Sequence, residues 1–262
     1  MIEYPESIIL NSPQIFDSHA HYDDEKFDGI RDELLTKLFS SGVSGIVSCS
    51  VDGFSSQNNL SLAEKFDNLY AAVGIHPENL DSNTSIEEIE NLSKHRKCVA
   101  IGEIGLDYYW DTEHKAEQIK IFEEQLILAN KLNLPVIVHD REAHSDVLEL
   151  LKKHKPKGVV HCFSGSAEMA REIIKIGMYI GVGGVITFKN AKKLPEVLLQ
   201  IPDDRLLVET DCPYLAPEPF RGKLCHSGFI TLTAQKIADF KNTTLEDILK
   251  LTKDNALKLF NI

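Results

Sequence analysis

Hydrophobic positions along the chain follow two alternating periods. Short runs rich in Val, Ile, Leu and Ala, too continuously apolar for half-exposed strands, recur between longer stretches whose apolar residues fall three and four apart. The first run ends in Ile15-Phe16-Asp17-Ser18-His19-Ala20-His21. Asp28 to Ser41 then carries Ile30, Leu34, Leu35 and Leu38 at helical spacing, with Gly42 placed to stop it. A second strand is predicted at Gly45 to Cys49, a helix through Leu60, Ala63 and Phe66, and a third strand from Leu69 to His76-Pro77. Ile86, Ile89 and Leu92 mark the next helix, before a fourth strand from Cys98 to Glu103.

The second half repeats the pattern. Helices through Ile119 and Phe122, Val147 and Leu151, Met169 and Ile173, and Leu194 and Val197 precede strands at Pro135–His139, Gly158–His161, Tyr179–Val182 and Leu206–Asp211. Two or three closing helices fit between Phe229 and Phe260, and no linker or low-complexity tract interrupts the chain. Eight apolar strands alternating with helices predict a parallel sheet covered by helices, and eight units in about 250 residues suit a (β/α)8 TIM barrel. The expectation is a single domain over residues 1–262, with its site at the C-terminal ends of the strands.

Those strand ends carry the candidate chemistry. Alternation along an extended chain puts His19 and His21 on one face, where both imidazoles can meet one cation. With Glu103, His139, His161 and Asp211 they make four imidazoles and two carboxylates, enough for two divalent metal ions, and this nitrogen and oxygen set accepts magnesium, manganese or zinc. Glu103 has two oxygens and is the natural bridge. Asp211 would hold one ion and take the proton from the attacking water, so Asp211 and Glu103 are the catalytic candidates. Two cations about 3.5–4 Å apart can both activate water and stabilise charge on a substrate oxygen, which makes hydrolysis the expected reaction. His76 is either a substrate contact or a structural histidine. Arg141, two residues past His139, either reaches a phosphate with its planar donor fork or pairs with a rim acid. Tyr108, Tyr109 and Trp110 either stack on bases or pack a loop. Alternation turns Cys162 and Cys212 away from the metals, as buried small hydrophobes.

Composition narrows the classes. With 262 residues, 43% hydrophobic and 26% charged, the chain is an ordinary globular one. A net charge of −12 argues against a basic surface for constitutive nucleic-acid binding, but divalent cations would concentrate positive charge where a phosphate sits. Five scattered cysteines without Cys-x-x-Cys spacing argue against a disulfide framework or cysteine zinc knuckle and favour the reducing cytoplasm. The acidic start, Met1 to Glu6, reads as no signal peptide, and no apolar stretch is long enough for a bilayer.

Taken together, the motifs Phe16-Asp17-Ser18-His19-Ala20-His21, Val73-Gly74-Ile75-His76-Pro77, Ile101-Gly102-Glu103-Ile104-Gly105-Leu106-Asp107-Tyr108, Val138-His139-Asp140-Arg141-Glu142-Ala143, His161-Cys162-Phe163-Ser164-Gly165 and Glu209-Thr210-Asp211-Cys212-Pro213-Tyr214-Leu215 resemble the TatD-type metal-dependent deoxyribonucleases of the amidohydrolase superfamily. The resemblance implies a (β/α)8 barrel, two divalent metals and hydrolysis of DNA phosphodiesters, often as a 3′-to-5′ exonuclease. It supports the six ligands named above and makes His76 and Arg141 substrate contacts, with DNA as substrate and no obligate protein partner inferred. One segment departs: after Phe220-Arg221-Gly222-Lys223 the family usually continues with Arg, Asn, an acid or histidine, and Pro, where this chain has Leu224-Cys225-His226-Ser227. That loop is expected to shape the mouth and weaken the grip on a DNA backbone. The alternatives are an amidohydrolase acting on a small ester, lactone or amide, and a barrel that binds metal without turnover.

Overall fold

Each apolar run pairs in parallel with the next along the chain. In the computed structural model, which describes residues 14–191 and 193–262, the strands are β1 (Ile15–Ala20), β2 (Val43–Cys49), β3 (Leu69–Val73), β4 (Cys98–Asp107), β5 (Val136–Arg141), β6 (Gly158–Val160), β7 (Tyr179–Val182) and β8 (Leu206–Val208). Helices α1 (Arg31–Ser40), α2 (Gly53–Glu64), α3 (Ile86–Leu92), α4 (Lys115–Leu132), α5 (His144–His154), α6 (Ala167–Lys175) and α7 (Leu194–Leu198) connect them, and α8 (Ile230–Lys241) and α9 (Leu245–Phe260) follow. This is the predicted (β/α)8 barrel. The acidic start, Met1 to Glu6, lies outside the described residues. No helix among those described is long and apolar enough to cross a membrane.

Burial on both faces explains the continuous apolar strands. Phe16, Val47, Ala72, Ala100, Ile137, Val159 and Leu207 form an inner cluster with Ala256 and Phe260 of α9, while Ile46, Ala71, Ile101, Val136 and Leu206 pack outward with the helices. The two sets interleave along the strands with period two. Phe260 stacks on Phe16, ring centroids 6.2 Å apart, so α9 plugs the end where the strands begin and leaves the opposite mouth to the polar residues.

Two strands run further at their C-terminal ends than the sequence suggested, and β2 starts earlier, at Val43. β4 runs past Glu103 to Asp107 and β5 past His139 to Arg141, because Ile104 and Leu106 continue the apolar alternation and the pairing extends through Gly105 with His139 to Asp107 with Arg141.

The seam between β8 and β1 is closed mainly by side chains. Its strand pairing is a single bridge between Ala20 and Cys212. Buried Asp17 accepts from the Thr210 backbone N–H (3.0 Å) and the Thr210 hydroxyl (2.6 Å), and Ser18 Oγ donates to the Val208 carbonyl (3.0 Å). Burial pushes the Asp17 carboxyl up to about 6, and its hydrogen bonds oppose that rise. Asp17→Ala should strand the Thr210 donors and cost about 2–3 kcal/mol, seen as a melting temperature lower by roughly 4–12 °C. An unchanged melting curve would show that the backbone bridge suffices.

Candidate metal centre

Local irregularities in β1 and β4 turn side chains toward the barrel axis. In β4, Ile101 pairs with Val136 but Ile104 with Val138, so three steps on one strand match two on the other. β1 does the same between Asp17 and Ala20 against β2. Such bulges re-aim side chains beside active sites, and these two lie at Glu103 and His19. Gly105, in a left-handed conformation at φ +150°, allows the close approach of the strands: a Cβ there would collide with the His139 carbonyl.

The result is one carboxylate between two nitrogen clusters. Glu103 Oε2 lies 3.2 Å from His19 Nε2 and 3.4 Å from His21 Nε2. Its other oxygen, Oε1, lies 2.7 Å from His161 Nε2, 2.9 Å from His139 Nδ1 and 3.4 Å from His76 Nε2. Asp211 Oδ1 closes the first cluster, 3.5 Å from His19 Nε2 and 3.3 Å from His21 Nε2. Among the described residues three groups gather ligand atoms closely enough to hold a metal ion: His19, His21 and Asp211; His19, Glu103 and His161; and His76, Glu103 and His139.

Outer partners decide which ring nitrogens face inward as lone pairs. The Cys49 carbonyl can only accept, so His21 Nδ1–H donates to it (3.0 Å) and Nε2 is left bare toward the carboxylates. Asp107 Oδ2 likewise takes His139 Nε2–H (3.0 Å), leaving Nδ1 bare toward Glu103. Neutral His21 and His139 rings held in these tautomers place acceptor against carboxylate acceptor, and ring nitrogens of each cluster approach one another: His19 Nε2 is 3.0 Å from His21 Nε2, and His139 Nδ1 is 3.3 Å from His161 Nε2. A cation satisfies such a donor set, and the carboxylate behind a ligating histidine is the usual means of orienting it. His76 differs. Its Nδ1 accepts the Glu78 N–H (3.2 Å), so a neutral ring carries its proton on Nε2, aimed at the centre as a donor.

The electrostatics agree. Burial works against charge on His21, His139 and His161, yet the facing carboxylates outweigh it and hold all three above the ordinary histidine value. Burial would raise Glu103, but His161, His19 and His76 hold it well below the carboxylate range. Asp211 is also held down, with burial again opposed, here by His21 and His19. His19, stacked flat on His161 at 3.9 Å, is pushed down to about 4 by burial and by that neighbour. Protons drawn in from several sides toward two ionised carboxylates mark a place built for positive charge.

The structure thus brings together His19, His21, Glu103, His139, His161 and Asp211, and adds His76. Arg141 stands apart, exposed on the rim, its guanidinium 4.1 Å from the Tyr109 ring centroid rather than on a rim acid. Three participants were missed. Asp107 orients His139. Asp17 ties the backbone of Thr210, beside Asp211, to β1. Glu209 is fully buried, accepts from the Cys162 N–H, and lies 3.7 Å from His161 Nδ1; burial pushes it up to about 8. Gly181 makes room for it, since a Cβ there would collide with the Glu209 carboxylate. The sequence offered only its position as a signal: Glu209 is an acid two residues before Asp211 at the end of β8.

One expectation needs correction. Cys212 is buried, but Cys162 is partly exposed, because its left-handed conformation (φ +42°) breaks the alternation that was to bury it on the side away from the metals. The Cys225-His226-Ser227 segment is buried behind the end of β1: Tyr22 OH, next to His21, and Ser227 Oγ share a 2.8 Å hydrogen bond, and His226 stacks on Phe229.

A (β/α)8 barrel with imidazoles and carboxylates gathered where its strands end defines a class of metal-site barrels. Comparison with known proteins narrows it. The profile of the family described as TatD related DNase matches residues 16–261. An uncharacterized metal-dependent hydrolase of Bacillus subtilis, YabD, is 44% identical, covering 95% of this chain and 99% of its own. The Escherichia coli homologue YcfH, described in the same words, is 36% identical over 95% and 96%. Among solved structures, the TatD homologue YjjV of Escherichia coli superposes with a TM-score of 0.89 at 33% identity, covering 95% of this chain and 99% of that one. The chain belongs to the TatD related DNase family.

Proposed function

We propose that this protein is a metal-dependent hydrolase that cleaves phosphodiester bonds of DNA, working inward from a 3′ end with two divalent ions. The observation that carries the reading is the division of Glu103, one oxygen toward each nitrogen cluster. Family membership and the relatives' description as metal-dependent hydrolases support it. The free thiols suit a reducing cytoplasm.

His19, His21 and Asp211 would hold one ion and His139 and His161 the other, with Glu103 serving both. Bound there, divalent ions supply Lewis-acid charge to the phosphate oxygens and acidity to a water molecule. Asp211, one-fifth exposed at the open side of the first cluster, accepts the proton of the attacking water. His76 offers its Nε2–H to a phosphate oxygen. Asp107 and the Cys49 carbonyl keep His139 and His21 in the tautomers that face inward. The exposed Arg141, Arg221 and Lys223 put cationic side chains on the rim of an otherwise acidic protein.

The test is end-labelled single-stranded DNA incubated with protein and magnesium or manganese beside a chelator control. Metal-dependent shortening of 5′-labelled strands into a ladder is expected. Intact DNA with metal shown to be bound would overturn the nuclease reading in favour of a small ester, lactone or amide substrate.

A further inference from the structure

Exposed aromatic rings are not scattered over this protein. Among the described residues they are Phe54 (75% exposed), Tyr109 (56%), Trp110 (62%) and Tyr214 (43%). Every one lies in a loop or helix start just after a strand ends: Phe54 beyond β2, Tyr109 and Trp110 beyond β4, Tyr214 beyond β8. They therefore ring the mouth that holds the metal centre, whereas exposed Ile127 sits on α4 and Leu199 just after α7.

Their surroundings separate these rings. Tyr214 is engaged, its hydroxyl on Asp24 Oδ2 (2.7 Å) and Lys26 Nζ 3.8 Å above its ring. The neighbouring Tyr108 is the residue that packs the loop, with its hydroxyl on Asp146 Oδ2 (2.6 Å) and Lys115 over its face. Tyr109 and Trp110 do neither. They meet edge to face at 4.8 Å, with the Arg141 guanidinium 4.1 Å from the Tyr109 centroid and 5.4 Å from that of Trp110. The pair is also tied to the metal centre. Asp107 Oδ1 accepts the backbone N–H of both Tyr109 and Trp110 (2.9 Å each), while Oδ2 takes Nε2–H of His139 (3.0 Å). One buried carboxylate fixes both a candidate metal-binding imidazole and the turn that displays the rings.

We propose that Tyr109, Trp110 and Arg141 form a platform on which an unpaired nucleobase of the substrate strand stacks, next to the phosphodiester held at the centre. The proposal rests on the nuclease reading and names its substrate more narrowly as single-stranded DNA. A π-face accepts any base, so the platform gives affinity without sequence preference. Arg141 adds cation–π attraction and keeps donors for the adjoining phosphate. A base that is paired and stacked in a duplex must first leave its neighbours to reach this surface.

Trp110 is the only tryptophan of the chain, so its fluorescence reports on the platform alone. Metal-loaded protein is titrated with a phosphorothioate-linked oligothymidylate, which is cut slowly, and with an abasic oligomer of equal length; the first should quench the emission and the second should not. In cleavage assays the wild type should prefer the ordinary oligothymidylate over the abasic strand by about tenfold in KM. Trp110→Ala should lose that preference and Trp110→Phe keep most of it, with thermal melting confirming that both variants are folded. Equal emission changes with the two oligomers, or a Trp110→Ala variant with the wild-type preference, would overturn the platform. Cleavage of neither strand would overturn the nuclease reading instead, and the quenching would still decide whether the rings bind a base.

Discussion

Asp211→Asn should lower DNA cleavage by about a thousandfold or more while leaving the melting temperature close to that of the wild type. The expected loss has two sources. An amide cannot take the proton of the attacking water, and a positioned base is worth about 10²–10⁴-fold. The amide also removes one negative charge from the first cluster, where Asp211 Oδ1 faces His19 Nε2 and His21 Nε2. Stability should be spared because the seam next to Asp211 is held by the Asp211 backbone N–H on the His19 carbonyl and by Asp17 on Thr210, none of which involves the Asp211 side chain. Initial rates at saturating metal, read beside circular-dichroism melts, check both halves. Activity retained within roughly tenfold would sit below the range for a lost general base and would move that role to the remaining carboxylates, with Glu209 the first to examine.

What the sequence made legible follows from where its signals are strong. Eight uniform apolar runs can be buried only in a sheet covered on both sides, so the barrel and its mouth could be read before any geometry was known. The candidate ligands could be picked out because their residue types break the apolar runs at strand ends. Asp107, Asp17 and Glu209 were not, because they act through a backbone group or a second side chain. A carboxylate that orients a histidine from behind resembles any other loop acid until the fold brings the two together. Asp107 lies 32 residues from the ring it holds. Alternation failed where the backbone departs from an extended chain. Cys162 and Asp211 both take left-handed conformations within a few residues of their strand ends. Residues held in such conformations by their surroundings concentrate at functional sites, and these two flank the centre.

Glu103→Gln tests the feature on which the whole site depends. With Glu103 gone from between the clusters, neither retains its shared carboxylate oxygen, and the variant should lose both bound metal and DNA cleavage. The thermal behaviour separates a lost metal from a lost fold. In the wild type without metal, the imidazoles and carboxylates already converge on the place a cation would take, so metal that binds only the folded protein should raise the melting temperature by mass action. At a free metal concentration about 100 times the dissociation constant the gain is about 2.7 kcal/mol, or roughly 5–10 °C for a domain of this size. In the Gln variant the amide can donate to the imidazoles of one cluster and accept from those of the other, so the metal-free protein should still show a cooperative melt, and added metal should shift it little. Metal content measured after gel filtration gives the stoichiometry directly. A Gln variant that keeps two equivalents of metal and the full thermal shift would show that each cluster holds its ion without Glu103, and the bridging role assigned to its two oxygens would be lost.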